Sequence, residues 1–303
     1  MSLELIKKLR ESTGCGIADC NKALKENGGD LEKSVDWLRK KGLSSAVKKS
    51  GRVTSEGAVA IHKGSDTKMT VVEVNSETDF VAKNDKFQNF TKKIAELAIS
   101  FGDDVEAFKK SNFSDSVTVE DEIKNQISVI GENLSVRRIS TLEVSKGAVV
   151  NYIHNATAPN IGKIAVLVAL ESDASVDKLE ELGKQIAMHI AAAKPESLNI
   201  ESVNADKLSR ETEVLKDQAR ASGKPESIIE KMIVGRIRKY YEEVVLLEQP
   251  FVMNDKQKVK DLLADFSKEN GETKISAYKL FILGEGIEKK EEDFAAEVAS
   301  MTK

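Results

Sequence analysis

The stretch EGAVAIHKGSDTKMTVVEV, residues 56–74, decides the fold. At Gly57 the spacing of apolar residues changes from a helical period to a period of two. Val59 and Ile61 alternate with small or polar neighbours, Gly64-Ser65-Asp66 supplies a turn, and Met69, Val71 and the run to Val74 return as a second strand. A helix is then expected over about residues 78–99, with Phe87, Phe90, Ile94 and Leu97 inward. The same grammar recurs about 90 residues later, where Gly147-Ala148-Val149 echoes Gly57-Ala58-Val59. A strand to about Ile153, the turn NATAPN (155–160), the strand KIAVLVAL (163–170) and a helix over about 175–193 follow. This pattern predicts a duplicated ββα unit, and so an α+β core of two subdomains with small antiparallel sheets backed by helices.

Before this core, residues 1–42 read as three short helices. Ser2 caps the first, which carries Leu5, Ile6 and Leu9 on one face and ends near Gly14. The second runs from about Ile17 to Glu26 with Ile17, Cys20 and Leu24 in register, and Asn27-Gly28-Gly29 breaks it. Asp30 caps the third, in which Leu31, Val35 and Leu38 share a face and Gly42 is the expected stop. Residues 43–56, LSSAVKKSGRVTSE, read as a basic linker. Residues 1–55 hold twelve Lys and Arg against seven Asp and Glu, in a chain whose net charge is −4. That local charge is either a solvated face or a means of steering toward an acidic partner.

Farther along, Thr118 and Gly131 bracket a helix over 119–131. Between residues 200 and 246, Leu208, Val214 or Leu215, Ile228, Ile229, Met232, Ile233 and Ile237 lie in two charged helical stretches. Ser222-Gly223-Lys224-Pro225 separates them, which predicts a projecting antiparallel coiled coil. The hairpin either dimerises the chain, as a homodimer or in a two-to-two complex, or merely decorates it. A helix over about 255–268, the strand KISAYKLFIL (274–283) and a last helix from about Glu288 complete the pattern. The expected divisions are 1–55 (three-helix module and linker), 56–144 (first core subdomain), 145–199 with 247–285 (second core subdomain), 200–246 (hairpin insertion) and 286–303 (C-terminal helical module).

Composition narrows the function. Near-balanced charge and 5% aromatic residues argue against direct nucleic-acid binding and against a base-stacking platform. Two cysteines and no run of about 18 apolar residues predict a chain of the reducing cytoplasm that neither is stapled by disulfides nor spans a membrane. The first residues carry no apolar core of the signal-peptide kind. Neither a G-x-x-x-x-G-K-[ST] loop nor a G-x-G-x-x-G turn is present, so direct nucleotide binding is not expected. Cys15 and Cys20 lack a nearby third ligand, and His62, His154 and His189 are scattered. No cofactor, metal site or catalytic residue is therefore predicted, and the chain reads as a non-enzyme.

The segments LRESTGCGIADCNKAL (9–24), LRKKG (38–42), EGAV (56–59), EVNSETDFVAKNDKF (73–87), IGENLSVRR (130–138), IAMHIAAAKP (186–195), SGKP (222–225), QPFVM (249–253) and GEGIEKKEEDFAAEV (284–298) resemble, in order and spacing, the signature stretches of the elongation factor Ts family. The likeness spans about residues 3–300. Cys15 stands where many members have Ala, and Ile17-Ala18 where others have a Met pair. The resemblance implies a ubiquitin-associated-like N-terminal module, two α+β subdomains, an inserted hairpin and a C-terminal helix. It implies guanine-nucleotide exchange on the GTPase elongation factor Tu, by disturbing the magnesium and phosphate site that holds its GDP.

By the same resemblance, Thr78, Asp79, Phe80 and Val81 are the candidate contacts that dislodge magnesium on the partner. Ile130, Gly131 and His154, with Arg10 and Ile17 on the N-terminal module, are further candidate contacts. From the residues alone, Thr78 is an N-cap, Asp79 suits the first turn of a helix, and Phe80 points either into the core or out. Two competing readings remain: a protein-binding scaffold working through the three-helix module, and an enzyme using Cys15 or Cys20.

Overall fold

The computed structural model describes residues 2–221 and 225–288. Helix α1 (Leu3–Thr13) is capped by the Ser2 side chain, which accepts from the Glu4 amide, and closes as Gly14 N–H bonds the Arg10 carbonyl. Helices α2 (Ile17–Glu26) and α3 (Leu31–Lys49) follow, the latter capped by Asp30. The three pack around Leu9, Cys20, Ala23, Leu24 and Leu38, whereas Ile17, at the head of α2, faces solvent. Helix α3 does not stop at Gly42 but continues to Lys49, through half of the expected linker. Gly42 serves a different purpose: a Cβ there would stand 2.8 Å from the Ser128 hydroxyl and 2.9 Å from its Cβ. The glycine lets a neighbouring helix close onto α3, and tertiary contact outweighs its poor helix propensity.

Strands β1 (Glu56–Ser65) and β2 (Lys68–Ser76) form the expected hairpin. The single helix expected next is two helices, α4 (Asp79–Ala82) and α5 (Asp85–Leu97). They break at Asn84, whose side chain caps α5 by accepting from the Lys86 amide. Then come α6 (Val105–Lys110), the short pair β3 (Asn112–Ser114) and β4 (Val117–Thr118), and α7 (Val119–Ile130), bracketed by Thr118 and Gly131 as expected. The second half supplies β5 (Leu134–Glu143), β6 (Gly147–His154), β7 (Ile161–Gly162), β8 (Ile164–Ser172) and α8 (Val176–Ala193).

Helices α9 (Ala205–Arg220) and α10 (Glu226–Val244) lie against one another, with Ala219 and Ile229 buried between charged faces. The intervening residues 222–224 lie outside the described residues. Strands β9 (Pro250–Phe251) and β10 (Asn254–Lys258) pair before α11 (Val259–Asn270), so that helix starts later than the sequence suggested. Strand β11 (Thr273–Ile282) follows, and the helix expected beyond Glu288 lies outside the described residues.

One antiparallel sheet runs β5-β2-β1-β7 and another β11-β8-β6. The first carries α5 and α7 on its outer face around Phe87, Phe90, Ile94, Ile123 and Val136; the second carries α8 and α11 around Leu170, Leu179, Ile186 and Leu263. Their inner faces meet through Val59, Ile61, Met69 and Val71 on one side and Ala165, Leu167, Ala169 and Phe281 on the other. This stacking explains why β2 is buried at nearly every position instead of alternating. The repeated Gly-Ala-Val also has a physical cause. Gly57 and Gly147 have φ of +119° and +116°, and a Cβ on either would fall 2.2 or 2.0 Å from a carbonyl oxygen of the paired strand. The fold is α+β.

Candidate functional site

The TDFVA stretch sits where β2 leaves its sheet. Ser76 Oγ donates to the Thr78 carbonyl at 2.9 Å and fixes the turn. Thr78 stands at the N-cap position of α4, but its side chain does not cap that helix. Its amide and its hydroxyl instead donate to the two carboxylate oxygens of Glu132, at 2.9 and 2.6 Å. Glu77, next in line, accepts from the Asn133 amide at 2.5 Å and from the Arg52 guanidinium. Asn133 Nδ2 closes the set by donating to the Arg52 carbonyl at 2.8 Å. Two neighbouring glutamates thus bolt the start of α4 to the end of α7 and to the segment entering β1.

On this mount α4 has room for one turn. Val81 and Ala82 turn inward and join the core around Phe87 and Ile161. Phe80 is driven outward and is 78% exposed. The break at Asn84 is the reason the inward spacing of Phe87, Phe90 and Ile94 cannot be carried back to Phe80. A carboxylate and a lysine flank the ring. Asp79 accepts from Lys83 at 3.0 Å, and Lys83 Nζ lies 5.9 Å from the Phe80 ring centroid. The hydrogen bond from Lys83, aided by the charge of Lys163, holds the Asp79 carboxyl below the usual carboxylate range.

Two other candidates, Ile130 and Gly131, join this point through Glu132. Ile130 ends α7 half-buried, and Gly131 follows it exposed, its carbonyl accepting from Lys49 at 2.5 Å. The next residue is Glu132, so the Ile130-Gly131 corner and Thr78 share one mount. His154 is exposed at the end of β6, with Nδ1 3.1 Å from the Tyr152 hydroxyl and its carbonyl accepting from the Lys163 amide. Arg10 and Ile17 are exposed on the N-terminal helices and belong to a separate surface element. The turn between them, at Gly14, packs toward Val129 and Lys86.

Sequence reasoning did not single out Glu132, Glu77 or Lys83 as parts of the site. Glu132 lies within the quoted IGENLSVRR, but no local pattern announces a bond between residues 54 apart. Of the two cysteines named for the competing chemistry, Cys15 is half-buried and Cys20 is buried. Burial pushes the Cys20 thiol up, and its Sγ donates to the Cys15 carbonyl, so it is not poised as a thiolate. His189 is buried between Gln249 Oε1 at 2.9 Å and the Val252 amide at 3.2 Å, and burial lowers its pKa. It is a satisfied core histidine. Among the described residues, no cluster of three or more His, Cys, Asp or Glu is arranged to hold a metal ion, and no helix is long and apolar enough to cross a membrane.

The site's distinguishing feature is an aromatic side chain held out in solvent on a hydrogen-bonded mount. Residues 77–285 match the family model for elongation factor Ts. The elongation factor Ts of Rhodospirillum centenum is 55% identical over 303 residues, covering 99% of this chain and 98% of the relative. That of Paramagnetospirillum magneticum is 53% identical over 302 residues (99% and 96%), and that of Erythrobacter litoralis 53% over 300 residues (98% and 97%). The chain belongs to the elongation factor Ts family, the class of translation elongation factors.

Proposed function

We propose that this protein is a guanine-nucleotide exchange factor that binds elongation factor Tu in the cytoplasm and makes it release GDP. The observation that carries this reading is Phe80, 78% exposed yet rooted in a fully bonded turn. An exposed aromatic is costly to keep in water and useful once it enters a groove. Full burial of its ring yields about 1.5–3 kcal/mol. Spent on a GTPase conformation in which magnesium and phosphate contacts are disturbed, each 1.4 kcal/mol weakens GDP about tenfold. By linkage, GDP then weakens binding of the factor in the same ratio.

In this mechanism Phe80 is the wedge, and Asp79 with Lys83 sets its rim. Thr78 and Val81 hold the turn from its two sides. Ile130, Gly131 and His154 widen the contact, while Arg10 and Ile17 dock the N-terminal helices on the GTPase. No covalent step, cofactor or catalytic group is required. Release of a fluorescent GDP analogue from purified elongation factor Tu tests the reading: this protein accelerates it at substoichiometric concentration. Release at the spontaneous rate from an active partner overturns it.

A further inference from the structure

Three successive residues, Gly131, Glu132 and Asn133, receive bonds from two directions. Gly131 turns the chain out of α7 with a φ of +91°, a conformation that suits glycine. Lys49, in the last turn of α3, donates to its carbonyl at 2.5 Å. Glu132 accepts the two bonds from Thr78. Asn133, 6% exposed, donates its amide to Glu77 at 2.5 Å and its Nδ2 to the carbonyls of Arg52 at 2.8 Å and Ser50 at 3.5 Å. The Arg52 amide bonds the Lys49 carbonyl at 2.9 Å, so residues 49–52 leave α3 as one turn. The Arg52 guanidinium then crosses to Glu77 at 3.3 and 3.4 Å.

The two sides of this junction carry different surfaces. Helix α3 shares its core with α1 and α2 through Leu38, Leu9 and Leu24, so its end moves with Arg10 and Ile17. Thr78, on the other side, roots the turn that holds Phe80 out. The close approach of Gly42 to Ser128 seats α3 on α7 but does not reach residue 78. The bonds at residues 131–133 make the position of one surface depend on the other. An exposed ring gains from being ordered before it meets a partner, because ordering it on contact costs free energy.

We infer that residues 131–133 form a joint through which the end of α3 fixes the presentation of Phe80, with Lys49, Arg52 and Asn133 as positioning residues. Its use in nucleotide exchange rests on the reading of Phe80 as a partner contact; the joint itself does not. With the joint intact, the three-helix module and Phe80 meet a partner as one preset frame. With it loosened, both surfaces remain but their spacing is no longer fixed.

The test uses the full chain carrying Lys49→Met with Arg52→Met, whose side chains are not buried, and separately Asn133→Ala. The pair Lys49→Arg with Arg52→Lys keeps both donors and is the control. Without any partner, amide exchange at Thr78 should accelerate about tenfold in the methionine pair, the loss expected for one charge-assisted bond. It should stay near wild type in the control, and exchange at Val72, in the middle of β2, should not change in either. Spin labels at Lys25→Cys and Phe80→Cys, with Cys15→Ala and Cys20→Ala, should give one narrow distance distribution that broadens when the methionine pair or Asn133→Ala is added. With elongation factor Tu, the maximal rate of stimulated GDP release should fall several-fold in the methionine pair, while the concentration giving half of it changes by less than about twofold. A purely structural role would move the melting temperature and not this split. Wild-type exchange at Thr78 and an unbroadened label distribution in both variants would overturn the joint, whatever the partner does. Altered exchange with an undiminished maximal rate, in an assay where Phe80→Ala does slow release, would overturn the positioning role. If Phe80→Ala is itself without effect, the reading of Phe80 fails instead, and the exchange and label results alone decide the joint.

Discussion

Thr78 donates both its amide and its hydroxyl to one carboxylate, that of Glu132, at 2.9 and 2.6 Å. The pairing joins the end of β2 to the residue beyond the Gly131 corner and fixes the direction in which Phe80 leaves the surface. Charge-assisted bonds of this kind contribute about 1.5–3 kcal/mol each when shielded from water, and less at a part-exposed site such as this one.

Glu132→Ala should therefore cost about 1–3 kcal/mol of stability. It should also raise amide exchange at Thr78 and weaken partner binding, although residue 132 itself need not touch the partner. Glu132→Gln should retain part of the effect, because an amide oxygen still accepts one of the two bonds. Hydrogen exchange with thermal melts reads both arms. A melt and an exchange pattern unchanged in Glu132→Ala would remove the mount from the account.

Gly42 gives a prediction whose sign separates two explanations. If the glycine were a mere weak point in α3, Gly42→Ala would stabilise the helix by up to about 1 kcal/mol. The contact with Ser128 predicts the opposite, because the added Cβ would stand within 3 Å of both side-chain atoms of the serine. Gly42→Ala should loosen α3 from α7 and lower the melting temperature, and Ser128→Gly in the same chain should recover much of the loss. A double-mutant cycle measures the coupling. Additive effects would mean that the close approach has no energetic weight.

Glu73, fully buried in β2, accepts from Arg137, Arg138 and the Gly284 amide, and this cluster predicts a pH dependence. Burial alone raises the Glu73 pKa, but the Gly284 amide and the charge of Arg138 more than offset it, and the net shift is downward. The folded state then binds this proton more weakly than the unfolded state, whose glutamate titrates near about 4.3. The stability it contributes is complete above that value and is lost as pH falls through the folded pKa. Glu73→Gln should flatten this part of the acid unfolding curve. At neutral pH it should also destabilise, by about 1–3 kcal/mol, because Arg137 and Arg138 lose a charged acceptor but stay part-exposed and Arg138 keeps Glu285. Melting curves at several pH values for both proteins check the sign; equal acid sensitivity would exclude Glu73 as a source.

Much of this architecture was legible in the residues. The hairpin of β1 and β2, the later strands β6, β8 and β11, the capped helices α1 and α7, and helix α2 all follow from period and punctuation. The errors share a cause: local signals carry a second meaning fixed by tertiary contact. Gly42 reads as a stop but is a point of close approach. Asn84 reads as one more helical residue but restarts the helix, which decides whether Phe80 points inward or outward. Strand β5 is not evident in the sequence around IGENLSVRR, because its burial is irregular and two arginines that serve Glu73 stand in its middle. At the candidate site the TDFVA stretch stood out by family resemblance, whereas the support from Glu132 exists only after residues far apart in sequence are folded together.

The most direct test of the central claim compares wild type with Phe80→Ala in stimulated release of fluorescent GDP from elongation factor Tu, alongside a melting curve for each. Because Phe80 is exposed, the substitution should leave the melting temperature nearly unchanged. Losing the transfer energy of one buried ring, about 1.5–3 kcal/mol, should slow stimulated release by roughly ten- to a hundredfold. Stimulation by Phe80→Ala at the wild-type rate, with fold intact, would contradict the wedge and leave exchange to be explained by the other contacts.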